Sequence, residues 1–250
     1  DGVGTSARFY APTGVAATAD GSTVFVTDYS GHRVRKVVVA TRTVTTLAGS
    51  TSAGSTDGIG TNARFYSPYG IAVTPDGATV YVTENAGDRV RQINVASRAV
   101  TPLAGAYTVG AFADGIGTSA RFNAPFHVAI AGNVLLVADA SNRRIRQIDL
   151  STREVTTVAG TGSAGYADGA ADVATFYTPR GIAATPNGML VLVTDTQYDR
   201  VRQFLPRALY PFPPSLPPAA SPSPPGTAIT TLAGSSYGFA DATGTNARFY

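Results

Sequence analysis

The sequence predicts an all-β chain built as a radial array of four-stranded antiparallel sheets, and three observations predict it. A ten-residue phrase recurs along the 250 residues: DGVGTSARFY from Asp1, DGIGTNARFY from Asp57, DGIGTSARFN from Asp114, the looser DGAADVATFY from Asp168, and DATGTNARFY from Asp241. Its starts lie 56, 57, 54 and 73 residues apart, the period of stacked supersecondary units that bury their apolar faces against their neighbours. Between copies run short β-branched stretches broken by Gly, Asp and Ser, and no window carries apolar residues at helical spacing.

In the first unit the strands are VAAT from Val15, TVFVTD from Thr23, RVRKVVV from Arg33 and TVTTLAG from Thr43, with turns at Asp20-Gly21, Tyr29 to His32 and Thr41-Arg42. The second unit gives GIAVT, TVYVTE, RVRQINV and AVTPLAG; the third gives HVAIA, NVLLVAD, RIRQIDL and EVTTVAG; the fourth gives GIAAT, MLVLVTD, RVRQF and AITTLAG. Four strands per unit repeated radially make a β-propeller blade, with blades at about 11–56, 67–113, 124–167 and 178–234. The first strand of each blade is the smallest and richest in Ala and Gly, so Val15–Thr18, Ile71–Thr74, Val128–Ala131 and Ile182–Thr185 are expected innermost, where blades crowd the axis. The phrase should cross from the outer strand of one blade to the inner strand of the next, and 235–250 would begin a fifth such linker. Four visible blades read as a portion of a larger ring or array. The apolar faces of the first and last, around Ala16, Phe25 and Val193, are then expected to lie open.

The fourth blade is interrupted at 205–227 by LPRALYPFPPSLPPAASPSPPGT, which holds nine of the 16 prolines. Proline fixes φ and donates no backbone hydrogen bond, so this insertion is expected to leave the sheet and run as polyproline II. Its Ser-Pro-Ser-Pro-Pro stretch resembles the hydroxyproline-rich, O-glycosylated segments of algal and plant extracellular proteins. That resemblance implies glycans on Ser215, Ser221, Ser223 or modified Pro222, Pro224 and Pro225; the alternative is a tolerated surface loop.

With no cysteine the chain has no disulfide framework and no thiolate metal or redox site. No apolar run is long enough for a spanning helix, so no membrane insertion is expected. The first residue is not Met, and a signal peptide is expected outside this segment. Of the 19 basic residues only Lys36 is a lysine, a skew consistent with bidentate arginine pairing or with a GC-rich coding genome.

The repeated Phe-Tyr-x-Pro-x-Gly-Ile-Ala-Val, Val-Tyr-Val-Thr-Glu/Asp, Arg-Val/Ile-Arg-Lys/Gln-Ile/Val and Val-Thr-Thr-Leu-Ala-Gly segments resemble the NHL repeat, in the subtype whose blades are joined by a DGxGxxAxF linker. The resemblance runs through all four units. It implies a propeller, usually of six blades and sometimes of five, so closure here would need further blades, a neighbouring chain or a four-bladed ring.

Four candidate constellations stand out. Asp28, Glu84, Asp139 and Asp195 end the second strand of each blade, and Arg33, Arg89, Arg144 and Arg200 follow five residues later at the start of the third. The spacing places each pair across a hairpin and predicts repeated ion pairs; a ring of carboxylates binding a cation is the rival reading. In the linker, Asp1, Asp57 and Asp114 lack the alternating oxygens of a calcium loop and read as turn formers capping amides. The linker Ala and Phe (Ala7, Phe9, Ala63, Phe65, Ala120, Phe122) should plug the gaps between blades, while Arg8, Arg64, Arg121 and Arg248 have no evident place. His127 replaces the Gly of positions 14, 70 and 181 and is a channel candidate; with His32 it falls short of the three ligands of a zinc hydrolase or lyase. Finally Arg42, Arg98, Arg143, Arg153, Arg180 and Arg207 look scattered, without interleaved exposed aromatics, so nucleic acid is an unlikely partner.

Taken together, the sequence points to no catalytic residue, no metal and no cofactor. The expected function is a noncatalytic, extracellular or cell-surface structural and interaction module of a larger repeat glycoprotein, a fibre, cell-wall or appendage component. Its expected partners are other subunits or further repeats of the same chain. An enzyme of the NHL lyase or hydrolase-like type is the first alternative, and an RNA-binding propeller the second.

Overall fold

A computed structural model describes residues 1–107, 110–205 and 228–234. The insertion at 206–227, with Ser215, Ser221, Ser223, Pro222, Pro224 and Pro225, lies outside the described residues, as do Arg207, Arg248 and the phrase at 241–250.

Four antiparallel sheets follow one another along the chain. The first contains β1 (Gly2–Val3), β2 (Pro12–Ala17), β3 (Thr23–Asp28), β4 (Arg33–Val38) and β5 (Thr43–Gly49). The second contains β6 (Gly58–Ile59), β7 (Pro68–Val73), β8 (Thr79–Glu84), β9 (Arg89–Asn94) and β10 (Ala99–Gly105). The third contains β11 (Gly115–Ile116), β12 (Pro125–Ala131), β13 (Val134–Asp139), β14 (Arg144–Asp149) and β15 (Glu154–Ala159). The fourth contains β16 (Gly169–Ala170), β17 (Pro179–Ala184), β18 (Val191–Asp195), β19 (Arg200–Phe204) and β20 (Ala228–Ala233).

Each sheet has five strands instead of four, because a linker dipeptide (Gly2–Val3 in the first) pairs antiparallel with the outermost strand of the blade that follows it. The linker is therefore the outer edge of its own repeat. After that dipeptide it makes a single 3₁₀ turn, as at Gly4–Ser6, before running inward.

Local chemistry closes each hairpin. In the turn between β2 and β3, Asp20 accepts from the Thr18 hydroxyl at 2.5 Å and from the Ser22 amide at 3.0 Å, while Gly21 takes φ 67°. These bonds hold the exposed Asp20 carboxyl at about pKa 2. Thr74, Asp76 and Gly77 repeat the device in the second blade, and the Thr74 hydroxyl lowers the Asp76 pKa.

The sheets meet along their first strands, β2 against β7, β7 against β12 and β12 against β17, so these strands are innermost as the composition predicts. Three apolar clusters fill the gaps between successive sheets. Linker residues Ala63 and Phe65 sit in the first gap, Ala120 and Phe122 in the second, and Ala174 and Phe176 in the third, all fully buried. Burying one such Phe is worth about 1.5–3 kcal/mol.

The expected open faces need correcting. Phe25 and Ala16 pack into the gap between the first two blades, and Val193 into the gap between the last two. The side-chain period of two puts the opposite parity outward. On the first blade Val15 is 70% exposed, against 5% for its equivalents Ile71 and Val128, and Val24, Val26 and Val37 are only partly covered. On the fourth, Leu232 is 43% exposed, against 3% and 2% for Leu47 and Leu103, with Leu192 and Val201 partly covered beside it.

Candidate functional site: arginine clamps, latches and open faces

The dominant polar feature is an arginine clamp repeated in every blade. The third strand carries two arginines in the pattern Arg-x-Arg, and the second of them, Arg35, Arg91, Arg146 and Arg202, is fully buried. Arg35 donates to Asp28 at 3.4 Å, to the linker Asp1 at 2.9 Å and to the Arg8 carbonyl at 2.9 Å, and lies 5.1 Å from the Phe9 ring centroid. Arg91 repeats this with Glu84 at 3.2 Å, with Asp57, with the Arg64 carbonyl and with Phe65. Arg146 does so with Asp139 at 2.9 Å, Asp114, the Arg121 carbonyl and Phe122. Arg202 lies 2.7 Å from Asp168 and 3.9 Å from Asp195, over Phe176.

One planar guanidinium thus ties the linker to the second strand of its own blade, a use for which its fixed donor fork suits Arg better than Lys. The clamp works through the two terminal nitrogens, and Nε of all four arginines has no hydrogen-bond partner among the described residues. Burial shifts the partners in opposite senses: it lowers the pKa of Arg91 and Arg202, and it raises Asp195 and lifts Asp139 to about 6.

The predicted pairs at five-residue spacing are present in two blades and absent in two. Arg33 lies 3.3 Å from Asp28, and Arg89 donates through Nε to Glu84. Asp139 with Arg144 and Asp195 with Arg200 are opposite in strand register, yet their side chains do not bond. The reason is competition for the carboxylate. Asp139 accepts from the Asn123 amide at 2.8 Å, from Asn142 Nδ2 at 2.9 Å and from Arg146. Asp195 accepts from the Tyr177 and Thr178 amides. Arg144 turns instead to the Thr161 carbonyl at 2.5 Å and the Phe112 ring at 3.9 Å, and Arg200 to the Thr231 hydroxyl at 3.4 Å and the Tyr166 ring at 4.3 Å.

The linker acids also need correcting: among the described residues no amide of the linker itself bonds to Asp1, Asp57 or Asp114, and their partners lie on the sheet. Asp1, Asp57, Asp114 and Asp168 each pair with their blade's clamp arginine, and three of them also reach the outer strand: Asp1 accepts from the Thr46 hydroxyl, Asp114 from Thr157 and Asp168 from Thr231. Two of the linker arginines, Arg8 and Arg121, lie back on their own 3₁₀ turns, Arg121 donating to the Thr118 carbonyl at 2.7 Å.

A second repeated device joins one blade to the next. Thr27 Oγ1 accepts from the Gly14 amide at 2.8 Å and donates to the Tyr69 carbonyl of the second blade at 2.6 Å. Thr83 accepts from Gly70 and donates to the Phe126 carbonyl of the third. Glycine is required here, because a Cβ on Gly14 or Gly70 would stand 2.5 or 2.3 Å from those carbonyl oxygens. In the third blade both members change. His127 stands for the Gly and Ala138 for the Thr, and the imidazole lies beside the Arg180 backbone of the fourth blade, with its Nδ1 buried and without a hydrogen-bond partner among the described residues. His127 is therefore a blade-to-blade contact at the axis; burial lowers its pKa, and the edge of its ring meets Tyr69 at 5.3 Å.

Of the arginines read as scattered, two lie over half-buried rings. Arg143 lies over Tyr177 at 5.9 Å and Arg180 over Phe126 at 4.7 Å, in addition to the Arg144 and Arg200 contacts. Tyr29, Tyr69 and Phe126 pack edge to face near the axis, as do Tyr166, Tyr198 and Tyr177 on the fourth blade. Among the described residues no group of three His, Cys, Asp or Glu could hold a metal ion, and no helix is long and apolar enough to cross a membrane.

No family model matches the chain. It is 32% identical over 151 residues to NHL repeat-containing protein 2 of Bos taurus, covering 56% of this chain and 21% of the relative. It is 31% identical over 146 residues to protein SUPPRESSOR OF QUENCHING 1, chloroplastic, of Arabidopsis thaliana, covering 55% of this chain and 14% of the relative. The chain thus spans under a quarter of the length of these relatives. Among solved structures it is similar to an auxiliary nutrient binding protein from Bacteroides thetaiotaomicron, with TM-score 0.63, 19% identity, and 76% of this chain and 46% of the other covered. It is similar also to a nidogen/laminin complex chain, with TM-score 0.57, 15% identity, and 81% and 62% covered. At that identity the structures speak to the fold alone. Over about half its length the chain is thus similar to NHL repeat-containing proteins, and its repeated antiparallel sheets have the propeller fold.

Proposed function

We propose that the chain is a noncatalytic, extracellular structural and interaction module of a larger repeat glycoprotein. The observation that carries the interaction reading is the pair of outer sheet faces. Positions buried in the first two internal gaps stand exposed there, Val15 on the first blade and Leu232 on the fourth, and apolar faces of that kind are normally covered by a partner. The acids nearest the axis are already engaged by arginine clamps and backbone amides, which leaves the scaffold reading ahead of a lyase or hydrolase one. The extracellular glycoprotein part is supported by the Pro- and Ser-rich composition of 205–227. Intact-mass measurement on native material tests it: a series of glycan increments is expected, and an unmodified mass would remove it.

A second reading, binding of single-stranded nucleic acid, is favoured by one observation. Arg143, Arg144, Arg180 and Arg200 are without an ion-pair partner among the described residues, and each lies over an aromatic ring. Stacking platforms interleaved with cations suit unpaired bases. Binding to a labelled RNA oligonucleotide that weakens steeply with salt, and weakens again in Arg143→Ala or Arg180→Ala, would move the assignment to this reading.

A further inference from the structure

We propose that Asn187 is a site of spontaneous deamidation, and that the Thr185 hydroxyl receives the aspartate the reaction forms. The site is independent of the interaction-module reading above and of the outer faces of the end blades.

The turn between the first two long strands is the same in three blades. Thr18-Ala19-Asp20-Gly21, Thr74-Pro75-Asp76-Gly77 and Thr185-Pro186-Asn187-Gly188 each close with the glycine amide donating to the threonine carbonyl, at 2.9, 2.8 and 2.7 Å, and the glycines take φ 67°, 70° and 68°. The side-chain oxygen at the third position accepts from the amide two residues on: Ser22 at 3.0 Å, Ala78 at 3.0 Å and Met189 at 3.1 Å. Asn187 is therefore held in the place of an aspartate by the same backbone groups.

One bond differs. The Thr18 and Thr74 hydroxyls donate to Asp20 and Asp76 at 2.5 Å, whereas the Thr185 hydroxyl has the Leu190 carbonyl at 3.5 Å as its acceptor. A donor that meets a carboxylate in the first two blades is left with a long contact in the fourth, and a carboxylate is the stronger acceptor.

Of the eight asparagines only Asn187 precedes glycine. With no Cβ on that glycine, its backbone nitrogen has an unobstructed approach to the preceding side chain. Having lost its proton, the Gly188 nitrogen attacks Asn187 Cγ; a C–N bond forms and the Cγ–Nδ2 bond breaks, releasing ammonia and leaving a five-membered succinimide. Water then opens the ring. Cleavage at Cγ gives aspartate on an unchanged backbone, and cleavage at the main-chain carbonyl gives isoaspartate, whose backbone runs through the side chain and is longer by a methylene. The aspartate fits the turn as Asp20 and Asp76 do, and it takes the net charge from +3 to +2. The isoaspartate does not fit, because its extra methylene falls inside the four residues closed by the Gly188 to Thr185 bond.

The fold also restrains the reaction. The Gly188 amide must leave the Thr185 carbonyl, and the Asn187 side chain the Met189 amide, before the two meet. Asp76, with a blade on either side, is exposed, so water reaches this turn even within the array.

Peptide mapping by mass spectrometry of the full chain, aged at mildly alkaline pH both folded and in urea, tests this. The gain in mass of an amide becoming an acid should appear at Asn187 before any other asparagine, and more slowly in the folded chain than in urea by about tenfold or more, since the turn must first open. Equal rates in the two states, or a folded chain whose Asn187 keeps its amide as long as the other asparagines do, would overturn the proposal. Asn187→Asp supplies the product directly. Its thermal midpoint should match or exceed that of the wild type, and a clearly lower one would overturn the fit of the aspartate. Thr185→Val should cost the Asn187→Asp chain more than it costs the wild type, while Thr185→Ser should cost both little; equal losses in the two backgrounds would overturn the role of the hydroxyl.

Discussion

His127 and Ala138 are a matched pair. They replace the Gly and Thr that form the latch in the other three blades, and the imidazole lies beside the backbone of Arg180 where a threonine hydroxyl would have served. Replacing His127 by Gly alone should remove the ring packed between Tyr69 and the Arg180 backbone and cost about 1 kcal/mol. The double change His127→Gly with Ala138→Thr should recover most of that. A coupling energy of at least about 0.5 kcal/mol is expected from the four urea denaturation midpoints of the cycle.

The clamp predicts a ranking. Arg91→Ala removes the donor that joins Glu84 to Asp57, leaves Glu84 with Arg89 and the Tyr66 amide, and should cost about 1.5–3 kcal/mol. Arg91→Lys keeps the charge but loses the fork and the stacking on Phe65, so it should fall between Arg91→Ala and wild type. Asp57→Ala removes a partner that is 48% exposed and should cost no more than about 1 kcal/mol. Equilibrium unfolding followed by circular dichroism measures all three. A larger loss for Asp57→Ala than for Arg91→Lys would mean that the linker, not the sheet, is what the arginine holds.

Close approach predicts a contrast between two glycines. Gly70→Ala drives a methyl into the Phe126 carbonyl and the His127 Cα, both backbone atoms, and should cost about 1–3 kcal/mol. For Gly181→Ala the nearest atoms are those of the Thr194 side chain, which can turn aside, and the thermal midpoint should fall by clearly less.

Stability should depend on pH in two opposed limbs. The carboxyl of Asp139 is lifted to about 6 in the fold, so between about 6 and its ordinary value near 4 the folded chain holds more protons than the unfolded one, and this group adds stability as pH falls. Asp20, held at about 2, does the reverse, and its contribution is lost from about pH 4 downward. Urea midpoints measured from pH 7 to pH 3 should show the first limb flattened in Asp139→Asn and the second in Asp20→Asn.

The architecture was legible because the sequence repeats itself: the period gave the blades, the composition gave the innermost strands, and the fixed place of each acid gave the clamp's location. The choice of arginine was not legible from spacing. Arg33 and Arg35 recur equally, and only packing shows that the second is swallowed by the core while the first stays at the rim, where Arg144 and Arg200 leave the acid for a ring. The outward parity of the end blades was misassigned for a related reason. Val24 and Phe25 are both apolar, so alternation alone does not say which of them faces a neighbour. A signal for the latch was present in the paired change of His127 and Ala138, which reads as two separate oddities until the strands are aligned.

Because Asp1, Asp28 and Arg35 all belong to one linker and the blade that follows it, as do Asp57, Glu84 and Arg91, every charged group of a clamp is inherited together when a repeat is duplicated or lost. What one unit asks of the next is a backbone carbonyl and a glycine against a phenyl ring, both nearly independent of the rest of the sequence. A gene built this way can lengthen or shorten by whole repeats without coordinated change elsewhere, so blade number is free to drift among descendants while each blade's interior stays fixed.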